Sequence, residues 1–226
     1  MGLFRDEMGL AEGTVVADIG CGPGMSSEPF LRAGCEVYGV EPNEGMLSAA
    51  EDAFRDFPAF HAVSGSAQST GLPNSSIDIA VAAQAFHWFN ESTVASEFRR
   101  IVKPGGFAAL IWNERQLDST PFLRGYEEML LEFGTDYRSV RHDNLSETDL
   151  AGTFGAEFRK ASFPNRQDLD LEGITGRLRS SSYTPPEGHE DFAPMLARLG
   201  ELFARYQENG KIQLLYDTNV FYTQLQ

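Results

Sequence analysis

Cysteine is scarce in this 226-residue chain, which has two, Cys21 and Cys35. Two thiols cannot build a disulfide framework. No Cys or His spacing matches a metal-ligand set, and His61, His142 and His189 are scattered, so no metal is expected. Cys21 lies inside a glycine turn that a bridge would immobilise, and reduced thiols in a cytoplasmic protein are the simpler expectation. Positive charge is also short, with 18 Lys and Arg against 33 Asp and Glu and a formal net charge of -15. Such a surface repels phosphate backbones and anionic lipids, so neither nucleic acid nor membrane is an expected partner. No apolar run is long enough to span a bilayer, and MGLFRDEMGL carries charges where a secretory leader needs an apolar stretch. G-x-S-x-G, the nucleophile elbow of hydrolases, is absent.

What is present is a chain that is 42% hydrophobic, enough for a sizeable core. Its first half alternates short apolar runs with helical patterns. Strands are expected over 14–19, 35–40, 59–64, 77–83 and 107–112, with helices over 23–33, 43–54 and 92–102. Lys103-Pro104-Gly105-Gly106 reads as a break before the fifth strand. Alternation of this kind implies parallel crossover units. The expected fold is α/β: a Rossmann-like, doubly wound, mostly parallel seven-stranded sheet with helices on both faces and a helical insertion after the fifth strand. The second half is expected to hold helices over 121–133, 168–180 and 192–208 and strands over 157–163 and 213–224. One domain spans residues 1–226, with 1–115 as a cofactor-binding core and 116–226 as a helical cap for the acceptor plus the last strands.

The first strand runs into Asp18-Ile19-Gly20-Cys21-Gly22-Pro23-Gly24. Glycines let a backbone approach a ligand closely, and a helix N-terminus after the loop brings free N–H groups and partial positive charge. A dinucleotide fingerprint is spaced G-x-G-x-x-G, and its pyrophosphate would be repelled by an acid such as Asp18. Beside an ammonium or a sulfonium the same acid is attractive, and it can also order the loop. Glu41 ends the next strand, where an acid can accept both hydroxyls of a ribose.

The segments VADIGCGPG, VYGVEPNEGML, GSAQSTGLPNSSIDIAVAAQAFHWF and FRRIVKPGGFAALIWNER resemble the successive motifs of class I S-adenosylmethionine (SAM) dependent methyltransferases. They are most similar to the small-molecule branch called methyltransferase type 11, and the resemblance is close from about Val15 to Arg115. It implies SAM as cofactor and S-adenosylhomocysteine (SAH) as product. It also implies that the loop from Asp18 through Gly20, Cys21, Gly22 and Gly24 holds the methionine part. Glu41 falls on the ribose position, with Pro42 and Asn43 following it and Met46 near the adenine. Ser66, Ala67 and Gln68 fall on the adenine edge, and Ala83, Gln84 and His87 fall beside the methionine part and the methyl. Two departures stand out. Many relatives carry an acid where this chain reads Ser66-Ala67-Gln68. Relatives also carry a longer helical segment before the first strand, so either the start is truncated or the acceptor lid is expected from the second-half helices or from another chain.

The run Gln84-Ala85-Phe86-His87-Trp88-Phe89 follows the fourth strand, at the edge where open α/β sheets bind ligands. His87 is the candidate base for a hydroxyl acceptor; a hydrogen-bonded structural histidine is the plainer alternative. Trp112-Asn113-Glu114-Arg115 is a candidate lining of the acceptor pocket or a strand cap with a surface ion pair, and the stripe Phe122, Tyr126, Met129 and Leu130 is a candidate roof of that pocket or plain core. Arg177, Arg179, Ser180, Ser181 and Tyr183 form a polar cluster suited to an acidic acceptor. The expected partner is a small organic molecule methylated on O, N or C, with carboxylate or hydroxyl favoured, and the protein is expected to be a monomer or homodimer. Two other readings stay open: a SAM-binding module without turnover, and an NAD(P)-dependent oxidoreductase.

Overall fold

The computed structural model describes residues 1–89, 91–137 and 147–226. His142 lies outside them. Seven strands form one sheet in the order β3-β2-β1-β4-β5-β7-β6. The strands are β1 (Val15–Ile19), β2 (Glu36–Glu41), β3 (Phe60–Ser64), β4 (Ile77–Ala83), β5 (Val102–Arg115), β6 (Arg159–Leu169) and β7 (Ile212–Gln224). β3-β2, β2-β1, β1-β4 and β4-β5 are parallel pairs. Bonds from Gly105 N to Leu225 O and from Gln116 N to Leu215 O show that β7 runs antiparallel to β5. The expected seven-stranded, mostly parallel sheet is therefore present.

The chain forms two compact units that interleave along the sequence. The first is built on Met1–Trp112 and Asn219–Gln226, with a middle stretch ending at Ala161; the second holds residues 113–137 and Ser162–Thr218. In the first unit, α1 (Gly2–Met8) buries Phe4 and Met8 and ends on a left-handed Gly9. The sequence reading contains no helix there. Val16, Val37, Ile79 and Val81 supply the sheet side of the core, and Phe30, Leu31 and Phe54 pack onto it. α3 (Glu44–Ala53) starts where expected because Asn43 Oδ1 accepts the Met46 N–H. α4 (Glu91–Ile101) precedes β5, and α6 (Glu147–Phe154) precedes β6.

In the second unit, α5 (Pro121–Phe133) has Thr120 as its N-cap, accepting from Leu123 N, and proline in its first turn. α7 (Leu171–Arg179) is capped by Asp170, and α8 (Phe192–Tyr206) follows. Tyr126, Met129, Leu130, Ile174, Leu199 and Leu214 are its core. The stripe on α5 is thus mainly packing.

Two expectations need correction. The helix read over 23–33 is only α2 (Glu28–Arg32), because residues 22–27 are taken up by turns around Gly22 and Gly24, both at positive φ. Lys103–Gly106 does not separate α4 from a later strand. β5 already pairs at Val102 with Ile77, then resumes at Phe107 with Ile79, so four residues swell out opposite Asp78. The swelling is tied down by Gly105 N to Leu225 O and Leu225 N to Gly106 O. Among the described residues, no helix is long and apolar enough to cross a membrane.

Candidate functional site

Parallel strands bring their carboxyl ends to one edge of a sheet, and ligands bind where the strand order reverses. Here the chain leaves β3 at one side and re-enters at β4 beside β1. The turn after β1 and the run after β4 therefore flank the switch point. Asp18 pairs in register with Gly39 and Ile19 with Val40, so Asp18 and Glu41 stand on neighbouring strand ends. The turn after β3 is closed by reciprocal bonds between Ser66 and Ser69, with Ala67 buried and Gln68 half-buried. Met46 stands exposed in the first turn of α3, and Pro42 is exposed beside it. The structure thus gathers the fourteen sequence-expected cofactor positions, from Asp18 to His87, on one edge of the first unit.

The carboxylates do different work. Asp18 is fully buried, and its Oδ2 accepts from Ser26 Oγ at 2.6 Å and Ser27 Oγ at 2.7 Å. Among the described residues its Oδ1 has no hydrogen-bond partner. Burial raises the Asp18 carboxyl above the usual carboxylate range; the two serine hydroxyls oppose this and the Glu41 charge adds to it. Sequence reasoning missed Ser26 and Ser27, whose hydroxyls lie one loop beyond the acid they hold. Glu41 accepts the Gly22 N–H on Oε2 at 3.1 Å and the Asn43 N–H on Oε1 at 3.0 Å. It therefore ties the glycine turn to the start of α3. Between them, Cys21 is buried, and burial with the Asp18 and Glu41 charges pushes its thiol up to about 12. It is no nucleophile at neutral pH. The loop does not abut a helix N-terminus as expected: Ser27 N and Glu28 N both bond to Gly24 O, and α2 starts only at Glu28.

Three observations test the fit of the expected cofactor. A buried acceptor, Asp18 Oδ1, lacks a donor. Each Glu41 oxygen takes one backbone N–H, which leaves a lone pair for a hydroxyl. A Cβ at Gly22 would meet nothing within 4 Å, so the turn is open on that side. An ammonium and a ribose suit these groups.

After β4 the chain turns sharply. Gln84 adopts φ 54, and its N–H bonds to Ile111 O at 2.9 Å. The turn lays Ala85 and the Phe89 ring against Gly20, contacts the sequence reading did not foresee. Phe86 is core, packed on Trp112 and Phe154. His87 and Trp88 face outward, Trp88 with 81% of its surface exposed. Trp112 is buried against Phe86 and Phe221, and among the described residues its Nε1 has no partner.

In the second unit, Asn113 Oδ1 accepts from Asn165 and Thr218, and Arg115 bonds to Glu127 and Tyr137. The polar cluster expected near residue 180 divides. Arg177 bonds to Ser181 Oγ, whereas Arg179 turns to Glu187 and the Phe192 ring, and Ser180 Oγ bonds back to Arg177 O.

Residues 17–110 match the family model of a methyltransferase domain. An uncharacterised methyltransferase-like protein of Schizosaccharomyces pombe is 28% identical over 134 residues, 59% of this chain and 51% of that one. The chain spans about half or less of the length of such curated relatives. Among solved structures, a protein of Anaeromyxobacter dehalogenans provisionally described as a type II methyltransferase superposes with TM-score 0.72 at 20% identity, covering 99% of this chain and 95% of that one. A SAM-dependent methyltransferase of Aquifex aeolicus gives 0.54 at 16% identity, covering 96% and 85%. At such identities the structures establish the fold.

Proposed function

Residues 17–110 match a methyltransferase domain, and we propose that the chain is a class I SAM-dependent methyltransferase that methylates an O, N or C atom of a small organic acceptor, with carboxylate and hydroxyl acceptors favoured. The observation that carries the reading is the pairing of Asp18 and Glu41 on adjoining strand ends around an open glycine turn. Two acids suit a cationic nucleoside and repel a diphosphate, which sets the nicotinamide reading aside.

When bound, SAM supplies an electrophilic methyl on a sulfonium. The residues of the chain bind, orient and shield. Asp18 holds the turn through Ser26 and Ser27 and offers its free Oδ1 to an ammonium. Glu41 offers its remaining lone pairs to ribose hydroxyls. The turn from Ser66 to Ser69 offers the Gln68 amide to an adenine edge. Ala85 and Phe89 cover Gly20 and exclude water there. His87 stands at the same edge for a hydroxyl proton, and a carboxylate acceptor needs no base. Displacement at a methyl with a neutral leaving group is served mainly by positioning.

The test is calorimetric titration of the full chain with SAH and, separately, NADH. Binding of SAH with a raised melting temperature is expected. No heat and no thermal shift with SAH, or preference for NADH, defeats the proposal.

A further inference from the structure

In the first unit, α4 carries an acid whose partners lie largely outside its own helix. Glu97 is buried, and Thr70, fully buried, lies 27 positions earlier in the loop between β3 and β4. Glu97 Oε1 accepts the Thr70 N–H at 2.8 Å and the Thr70 hydroxyl at 2.6 Å. Arg100, one turn on, donates Nε to Oε2 and Nη2 to Oε1, both at 2.7 Å, and its Nη1 donates to Asn74 Oδ1 at 2.7 Å. Two backbone bonds complete the seam, Ser75 N to Arg100 O and Ser76 N to Ile101 O. The end of α4 thus grips the loop at Thr70 and again at residues 74–76.

Thr70 is where this loop meets the turn from Ser66 to Ser69, which is closed by two bonds of its own. The flanks of the turn touch: a Cβ at Gly65 would lie 2.6 Å from Thr70 O, so a displaced Thr70 carries Gly65 and the turn with it. The Thr70 hydroxyl also accepts the Leu72 N–H at 3.2 Å. An exposed Glu–Arg pair three residues apart on a helix is worth little, and it needs neither burial nor a distant threonine. A buried carboxylate has to be compensated by donors, and three converge on Glu97 Oε1. Glu97 is satisfied only while Thr70 keeps its place, so the bond fixes the turn from outside. Gln68, half-buried in that turn, is two residues from the fixed point. A side-chain amide whose backbone is held before the ligand arrives binds without the ordering cost of a loose loop.

We propose that Glu97 is a positioning residue for recognition of the cofactor's base: by holding Thr70 it fixes the turn that presents the Gln68 amide oxygen to the 6-amino group of adenine. The inference rests on the reading above, in which that turn meets the adenine edge.

The probes are SAH and its purine analogue, which lacks the 6-amino group, titrated calorimetrically into the full chain. The wild type is expected to prefer SAH by about tenfold, the size of one well-made hydrogen bond. Glu97→Ala leaves the Thr70 donors without their acceptor. SAH affinity then falls by about tenfold, the analogue's falls much less, and the preference collapses. Glu97→Gln keeps an oxygen for Thr70 but not the Arg100 fork, so it retains part of the preference, and it serves as the test where Glu97→Ala does not fold. Ser96→Ala, at the neighbouring exposed position of α4, leaves both affinities unchanged. An equal loss for the two ligands marks Glu97 as merely structural and overturns the positioning role. So does an unchanged preference in both variants, or a wild type that does not prefer SAH. In each of these cases SAH binding by the wild type still upholds the cofactor site. Failure of the wild type to bind SAH removes the cofactor reading and this inference with it.

Discussion

Glu41→Gln is the substitution that interrogates the cofactor edge most directly. In the wild type one oxygen accepts the Gly22 N–H and the other the Asn43 N–H, and the residue is 8% exposed. An amide presents one oxygen and one NH2, so one backbone donor keeps its acceptor and the other faces a donor. A buried N–H left unmatched costs about 1–3 kcal/mol. For a chain of this size that lowers the melting temperature by roughly 2–4 °C per kcal/mol. The same loss loosens the glycine turn from α3 and removes an acceptor for ribose. SAH affinity should therefore fall by about tenfold or more, since ~1.4 kcal/mol is a factor of ten. Glu44→Gln is the matched control. It removes the same formal charge from an exposed position three residues away and should change neither quantity. Differential scanning fluorimetry and SAH calorimetry on the three proteins suffice. If Glu41→Gln matches wild type in both, or if Glu44→Gln reproduces its effects, the assignment of Glu41 as the tie between loop and ribose is wrong.

The turn offers a second contrast: Gly24 sits at φ +94 and a Cβ there would lie 2.3 Å from the Phe54 ring, whereas Gly22 sits at φ +55 with open space. Gly22→Ala should therefore lose only the ~1 kcal/mol of a left-handed alanine and bind SAH more weakly, and Gly24→Ala should destabilise the fold well beyond that. Equal melting of the two would contradict the packing described. Glu97, hydrogen-bonded by Arg100 and by Thr70, has its carboxyl pKa held down to about 2 from 4.5. A depressed folded value means the stabilisation is complete above the unfolded value and is lost as pH falls through the folded one. Glu97→Gln should flatten denaturant stability against pH between about 4.5 and about 2, and an unchanged slope would refute the pairing. His87→Ala, at an exposed position, should leave SAH affinity intact and slow turnover of hydroxyl acceptors only; loss of SAH binding would make His87 a cofactor contact instead.

Most of the first unit was legible because its strands are continuous apolar runs bounded by glycine, proline or acid, which is what burial on both faces demands. β4 and α5 match their expected limits, and the Asn43 cap was readable from residue type. The glycine turn was legible as a ligand turn, but its internal wiring was not. Two serines eight and nine residues beyond Asp18 carry no pattern in a single sequence, and the hydroxyl bonds arise only once the chain has folded back. The same holds for Ala85 and Phe89 over Gly20, which depend on a left-handed Gln84 that no glycine announces. Pro104-Gly105-Gly106 was read as a break because composition does not distinguish a loop from a swelling within a strand. In the second unit, Arg177 and Ser181 were visible as polar neighbours one helical turn apart, whereas the turn of Arg179 toward Glu187 and the Phe192 ring was not.

The interleaving of the two units has a consequence for synthesis. The swollen segment before Phe107 is closed by Leu225, whose carbonyl and N–H are the partners of Gly105 and Gly106. On the ribosome those partners emerge only after everything between has been made. The nascent chain must carry Met1–Trp112 with its last strand contact missing while residues 113–218 are still being added, an interval in which a chaperone would find its target.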